Sequence, residues 1–278
     1  MRYVESVSRV GITSRGDRVE ALKLVAELGD YLTGRGIEVV LDEEIAPRLG
    51  RTGTPLEHME ADLLLSVGGD GTLLRALQQM SKGKLIPVLG INVGTIGFLT
   101  DVRSDEVYER LEEVLSGFEV VERSRLSVRL ADATIPPAIN EVVVITSQPA
   151  KMLHYRIFID DVQLDEARAD GVIIATPTGS TAYAMSAGGP IVDPKVEATV
   201  IVPLAPFKLS SRPWVVPADC TVSVELLSER GGLVVVDGQH TSSIGMGGIV
   251  RVSRCDTPAP FVSISKNGFY EKVRKKLS

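Results

Sequence analysis

The sequence predicts two domains of different class: an α/β domain on a mostly parallel sheet, followed by a β-rich domain. Up to about residue 117, strand-like apolar runs alternate with apolar residues at helical spacing. From 118 onward the apolar period becomes two, and Pro or Gly breaks the runs roughly every ten residues. The length, 278 residues, suits two domains at roughly 100–200 residues each. The boundaries read as 1–117 and 118–259.

In the first half, 7–13 (VSRVGIT) reads as a strand, and 17–33 carries Val19, Leu22, Val25, Leu28 and Leu32 at helical spacing. Gly34 and Gly36 close that helix before a strand at 37–41. Residues 62–67 form a strand, 72–81 a helix and 85–91 (LIPVLGI) another strand. A helix at 105–115 follows, with Val107, Leu111, Val114 and Leu115 on one side. This alternation describes a Rossmann-like sheet covered by helices, in which ligands sit beyond the C-terminal strand ends. In the second half, 126–130 (LSVRL), 155–159 (YRIFI) and Val222, Val224 and Leu226 alternate in the manner of a β-sandwich, while 233–236 is a fully apolar strand. The tail 266–278 reads as a short basic helix with a solvated charged face.

The run 64–74, LLSVGGDGTLL, carries the most chemistry. A buried strand stops at Gly68-Gly69-Asp70-Gly71-Thr72, and a helix follows with Leu73, Leu77 and Met80 on one face. Glycines admit a ligand close to the backbone, and a helix start offers free N–H groups and a positive dipole end. That suits phosphate. Asp70 would repel phosphate unless it faces a hydroxyl that must lose a proton, or a cation carried by the phosphates. A plain tight turn has the same composition, and these five residues alone do not separate the two.

Three further pieces lie in the second half. In 170–190, DGVIIATPTGSTAYAMSAGGP, a strand runs into small hydroxyl residues and a helical turn. Such a turn can bind a polar ligand, with Tyr183 against a flat ring, or can simply cap the helix. Asn140 and Glu141 head an apolar strand, and an amide beside a carboxylate suits adjacent ribose hydroxyls as well as an ordinary strand start. Asp237-Gly238-Gln239 has the composition of a hairpin turn.

Bulk properties exclude several classes. The chain is 44% hydrophobic and 24% charged, with net charge −6, which argues against nucleic acid or an anionic membrane as the main partner. The apolar stretch 198–207 is far short of the ~20 residues that span a bilayer. The N-terminus lacks the apolar core of a secretion signal, so a cytoplasmic setting is expected. Cys220 and Cys255 are isolated, and His58, His154 and His240 form no metal-binding or triad spacing. P-loop, protein-kinase and GxSxG motifs are absent. No dedicated metal site is expected.

Taken together, GGDGT (68–72), INEVVV (139–144) and the 170–190 block resemble the NAD kinase family. GGDGT alone is shared with diacylglycerol and sphingosine kinases and, more loosely, phosphofructokinases. The GSTAY…AGGP block with the upstream Asn-Glu pair is far more specific to NAD kinases, and 203–217 (PLAPFKLSSRPWVVP) is also similar to a family stretch. The resemblance covers about residues 60–240. It implies phosphoryl transfer from ATP, or polyphosphate in some members, to the adenosine 2′-hydroxyl of NAD, with Mg²⁺ carried by the donor. It also implies a ligand between the two domains, a tail (260–278) returning to the first domain, and a homo-oligomer, dimer or tetramer. By matching positions, Asp70 would be the catalytic carboxylate, with Gly68, Gly69, Gly71 and Thr72 at the donor phosphates. NAD would be bound by Asp70, Gly71, Asn140, Glu141, Lys151, Arg168, Asp170, Gln239 and the run Thr181, Ala182, Tyr183, Ala184, Met185 and Ser186. A lipid kinase sharing the GGDGT turn and a non-catalytic NAD-binding regulator are the competing readings.

Overall fold

The structure, a computed structural model, describes residues 2–94, 97–131, 133–264 and 268–277. The chain divides into two compact units, Met1–Glu122 with Ala259–Ser278, and Arg123–Pro258.

The first unit contains β1 (Arg2–Val4), β2 (Arg9–Ser14), α1 (Val19–Thr33), β3 (Glu38–Asp42), β4 (Gly53–Thr54), β5 (Leu63–Gly68), α2 (Asp70–Met80), β6 (Val88–Asn92), β7 (Val102–Arg103), α3 (Val107–Leu115) and β8 (Phe118–Arg123). β3, β2, β5 and β6 pair in parallel in that order. β5 is buried along its whole length, which explains its uninterrupted apolar run, since a central parallel strand is covered on both faces. α1 buries Ala21, Leu24, Val25, Leu28 and Leu32, whereas Val19, counted in the apolar stripe, is exposed in the first turn. β6 starts at Val88 rather than 85, immediately after Pro87, which has no N–H for the ladder. β8 has the period-two pattern of the second half, yet it pairs antiparallel with β1 in this sheet.

The second unit contains β9 (Leu126–Leu130), β10 (Ala133–Thr134), β11 (Glu141–Thr146), β12 (Leu153–Ile159), β13 (Val162–Ala169), β14 (Gly171–Ala175), α4 (Tyr183–Ser186), β15 (Ala198–Leu204), β16 (Trp214–Pro217), β17 (Val222–Leu226), β18 (Gly232–Val236), β19 (His240–Ile244) and β20 (Ile249–Arg254). Among the described residues these form two six-stranded sheets, β10-β9-β20-β17-β12-β13 and β16-β15-β14-β11-β18-β19. Their facing side chains, such as Val128, Tyr155, Ile157 and Val224 from one and Val142, Val172, Ile174 and Val234 from the other, share one core. The Tyr155 hydroxyl crosses it to donate to Gly171 O at 3.0 Å. The outer face of the second sheet is also covered: Val143, Ile173, Val200 and Val202 pack with Ala184 of α4. Double burial is why β11, β14 and β15 read as unbroken apolar runs.

The chain then returns to the first unit through β21 (Ala259–Val262) and α5 (Gly268–Leu277). β21 pairs in parallel with β6 and lies next to β8, completing the order β1-β8-β21-β6-β5-β2-β3-β4 with β7 beside β6. Lys266, Asn267 and Ser278 of the expected tail helix lie outside the described residues.

Candidate active site

In the first unit, β2 leads through α1 to β3 on one side, while β5 leads through α2 to β6 on the other. The connections diverge between β2 and β5, the place where open α/β sheets bind ligands. The Ser14 hydroxyl donates across this point to Val67 O at 2.7 Å, and the glycine turn follows directly. Gly68 is compulsory: a Cβ there would strike the Thr72 hydroxyl. Gly69 and Gly71 face open space instead, leaving their backbone approachable. The helix begins at Asp70, two residues earlier than its apolar spacing suggests, because Thr72 and Leu73 N–H both reach back to Gly69 O (3.0 and 3.4 Å). Asp70 therefore stands in the first turn of α2, at the positive end of its dipole.

The Asp70 carboxylate is held by the turn that follows β6. Its Oδ2 accepts from Phe98 N–H at 2.7 Å. Its Oδ1 accepts from Leu99 N–H (3.1 Å), Thr100 N–H (3.2 Å) and the Thr100 hydroxyl (3.2 Å). The Thr100 oxygen also accepts from Asn92 Nδ2 (3.0 Å) and Gly97 N–H (3.2 Å). Gly97 lies so close that a Cβ would overlap the Asp70 carboxylate. A carboxylate has about four lone-pair sites. The three donors on Oδ1 crowd it, whereas Oδ2 keeps room for a hydroxyl proton.

One turn further along α2, Arg75 reaches the C-terminal ends of β2 and β3. Its Nη2 donates to Thr13 Oγ1 (3.0 Å), Ser14 O (2.9 Å) and Asp42 Oδ2 (3.3 Å), and Nη1 pairs with Glu44. The sequence reading passed over Arg75, Thr100 and Gly97. Arg75 sits on the polar side of an amphipathic helix, and the hydrogen bonds of residues 98–100 with Asp70 span 28–30 positions.

In the second unit, Asn140 immediately precedes β11 and Glu141 opens it, and each is 7% exposed. Asp237 holds this strand start: its carboxylate accepts from Ile139 N–H (2.8 Å), Asn140 N–H (2.8 Å) and Glu141 N–H (3.0 Å). Asp237 has φ 49° and Gly238 φ 64°, so the Asp-Gly pair does make the β18–β19 turn while its side chain organises a distant strand. Gln239 is exposed in that same turn, its N–H on Val236 O (2.9 Å). Asn140 Oδ1 and Glu141 Oε2 are buried without a hydrogen-bond partner. Burial, with the Asp237 charge beside it, pushes the Glu141 carboxyl up to about 8, against the opposing N–H of Tyr183. At neutral pH Glu141 is thus mostly protonated and can donate as well as accept a hydrogen bond.

The 176–186 segment lies against this pair. Thr176 N–H donates to Asn140 O (2.8 Å), and a Cβ on Gly179 would strike the same carbonyl. The hydroxyls of Thr176, Ser180 and Thr181 donate to backbone carbonyls of Ile139, Pro177 and Thr178 (2.6, 2.6 and 3.1 Å). Their protons serve the turn. Ala184 points into the apolar layer, while Tyr183 and Ser186 are exposed and Ala182 and Met185 partly so.

The remaining sequence-selected residues lie elsewhere. β11 and β14 are antiparallel with Glu141 opposite Ala175 and Ile145 opposite Gly171. Asp170 consequently sits at the far end of β14, about 16 Å from Glu141 at the ~3.3 Å rise per strand residue. Arg168 is just beyond, its carbonyl accepting from Phe207 N–H (2.8 Å). Lys151 is exposed in the turn before β12. Among the described residues, no group of three or more His, Cys, Asp or Glu side chains is arranged to hold a metal ion. No helix among them is long and apolar enough to cross a membrane.

A parallel sheet with a glycine-rich turn and a held carboxylate at its switch point, joined to a doubly covered β-sandwich, defines a two-domain phosphotransferase class rather than a P-loop or protein-kinase one. Residues 10–118 match the ATP-NAD kinase N-terminal domain family and residues 139–264 the ATP-NAD kinase C-terminal domain family. The chain is 47% identical over 277 residues to the NAD kinase of Methanosarcina mazei, covering 98% of this chain and 95% of that protein. It is 46% identical to the NAD kinase of Methanothermobacter thermautotrophicus, covering 97% and 96%. Among solved structures, it is similar to yeast NADH kinase complexed with NADH (TM-score 0.90, 26% identity, 98% of this chain and 88% of that one). It is also similar to an Archaeoglobus fulgidus NAD kinase in complex with ATP (TM-score 0.79, 31% identity, 96% and 98%). The chain belongs to the NAD kinase family and is a phosphotransferase.

Proposed function

We propose that the chain transfers the γ-phosphoryl group of ATP to the 2′-hydroxyl of the adenosine ribose of NAD, with Asp70 as general base. The observation that carries this is the Asp70 carboxylate, oriented by the 98–100 turn with Oδ2 accepting a single hydrogen bond from it. As the ribose oxygen bonds to phosphorus, its proton passes to Oδ2 and the bond to the ADP oxygen breaks. A positioned base of this kind is worth ~10²–10⁴-fold. The open backbone at Gly69 and Gly71, with Gly68 and Thr72 shaping the turn, suits the donor phosphates, which enter as a Mg²⁺ complex that screens their charge. In this reading the first unit handles the donor phosphates and the second binds NAD. Asn140 Oδ1 and Glu141 supply the unpaired polar atoms for NAD hydroxyl or amide groups, beside the 181–186 segment and Gln239.

The reading extends to a homo-oligomer. Asp170 lies at the far end of the sheet from Asn140 and Glu141, with Arg168 two residues before it on β13, so a second copy can carry both to its neighbour's ligand. Phe207, Leu209, Trp214 and Val215 expose apolar surface on β16 and the loop before it, suiting contact between copies. Sedimentation of the wild type against Trp214→Glu tests this, with the monomer as the expected product of the substitution. A cytoplasmic setting fits the two unpaired thiols, Cys220 and Cys255.

The decisive experiment is Asp70→Asn assayed with MgATP and NAD, with polyphosphate, NADH and a lipid diol as further arms. The expected result is NAD binding retained and turnover lowered ~10²–10⁴-fold. Near-normal turnover would remove Asp70 from its role, phosphorylation of the diol would favour a lipid kinase, and wild-type NAD binding without product would favour a regulator.

A further inference from the structure

The turn that holds Asp70 is itself held from behind by the C-terminal helix. Lys272 of α5 donates from Nζ to Phe98 O (2.9 Å) and Thr100 O (3.3 Å) and forms an ion pair with Asp101. Its side chain is only 17% exposed. The peptide group joining Phe98 to Leu99 thus has its carbonyl on a lysine cation and its N–H on Asp70 Oδ1. A cation at one end and a carboxylate at the other polarise one peptide group, strengthening both hydrogen bonds. Asp101 N–H donates to Gly90 O of β6 (3.1 Å), so the ion pair ties α5 to a turn anchored on the central sheet. One helical turn on, Lys276 Nζ stands 4.4 Å from the Phe98 ring centroid. A basic helix tail with a merely solvated face would leave both ammonium groups in water. Here both converge on the segment that aims its N–H groups at Asp70.

We propose that Lys272 is a positioning residue for phosphoryl transfer, holding the 98–101 turn so that its N–H groups fix the Asp70 carboxylate. This rests on Asp70 being the base. Without the ammonium group, the Phe98 and Thr100 carbonyls lose a charged donor and the turn relaxes. A displacement near 1 Å at a reacting group costs ~10²-fold in rate.

Lys272→Met, Lys272→Arg, Asp70→Asn and the Asp70→Asn/Lys272→Met double variant of the full chain are compared for kcat and for KM of NAD and ATP. Lys272→Met is expected to lower kcat about tenfold or more while both KM values stay within about twofold. Lys272→Arg, which keeps the charge, is expected to recover most of the loss. In the Asp70→Asn background, Lys272→Met should cost nothing further, since it acts through that carboxylate. The proposal is overturned by a Lys272→Met kcat within about twofold of wild type, or by an equal fold-loss in the Asp70→Asn background. Wild-type turnover in Asp70→Asn alone would instead remove the reading of Asp70 as base, a distinguishable result. Should circular dichroism show Lys272→Met unfolded, Lys272→Gln, which keeps an N–H donor but drops the charge, takes the same measurements.

Discussion

Glu141→Gln should free the second unit from a pH-dependent cost. Glu141 is 7% exposed, one of its oxygens has no partner, and burial beside Asp237 raises it from 4.5 to about 8. The folded chain therefore binds this proton more tightly than the unfolded chain. The stability this provides is fully present below about pH 4.5 and is lost as the pH rises through about 8, where the folded state must ionise a buried acid. At ~1.36 kcal/mol per pH unit the whole effect is about 5 kcal/mol, of which about 4 kcal/mol falls between about pH 5 and about pH 9. Glutamine keeps the shape and one carbonyl and has no proton to lose. The assay is denaturant unfolding followed by the fluorescence of Trp214, the sole tryptophan, which lies on β16 of this unit. Between about pH 5 and about pH 9 the wild type should lose about 4 kcal/mol more than Glu141→Gln. Parallel stability profiles for the two proteins would refute a buried, proton-binding Glu141.

Gly97→Ala places a methyl on the Asp70 carboxylate, so kcat should fall at least ~10-fold with the circular dichroism spectrum unchanged; full activity would contradict the packing. Thr100→Val removes the hydroxyl shared by Asp70, Asn92 and Gly97. It should destabilise the first unit by ~1–3 kcal/mol, measured by hydrogen exchange of the Gly97 and Asn92 groups against wild type. Asp237→Ala strips the acceptor from three N–H groups at residues 139–141. At ~1–3 kcal/mol each, unfolding and NAD titration calorimetry should show about 3 kcal/mol or more of lost stability together with weaker NAD binding. Removal of its charge should also lower Glu141 toward its ordinary range, shrinking the pH dependence described above.

The class of fold and the local setting of the candidate site segments were legible in the residues alone, because both are written in local pattern. Helical spacing in α1 and α2, alternation in β9 and β17, and the strand–glycine–helix setting of GGDGT are each readable within a dozen neighbouring residues. Doubly buried strands such as β11 and β14 were legible as apolar runs, though the α4 layer that covers them was not. Patterning also placed β8 with the second half, since period two records only which face is buried and not which sheet does the burying. The surroundings of the chemical groups are set instead by tertiary packing. Asp70 is held by residues 28–30 positions away, the turn that holds it is clamped from α5, and Asp237 organises a strand start 96–98 positions away. Tertiary packing also separated Asp170 from Asn140 and Glu141, because strand register sends them to opposite ends of one sheet, and put Arg168 on β13 of the other sheet. Backbone N–H groups and strand register have no residue code of their own, so the partners of a carboxylate become visible only when distant segments meet.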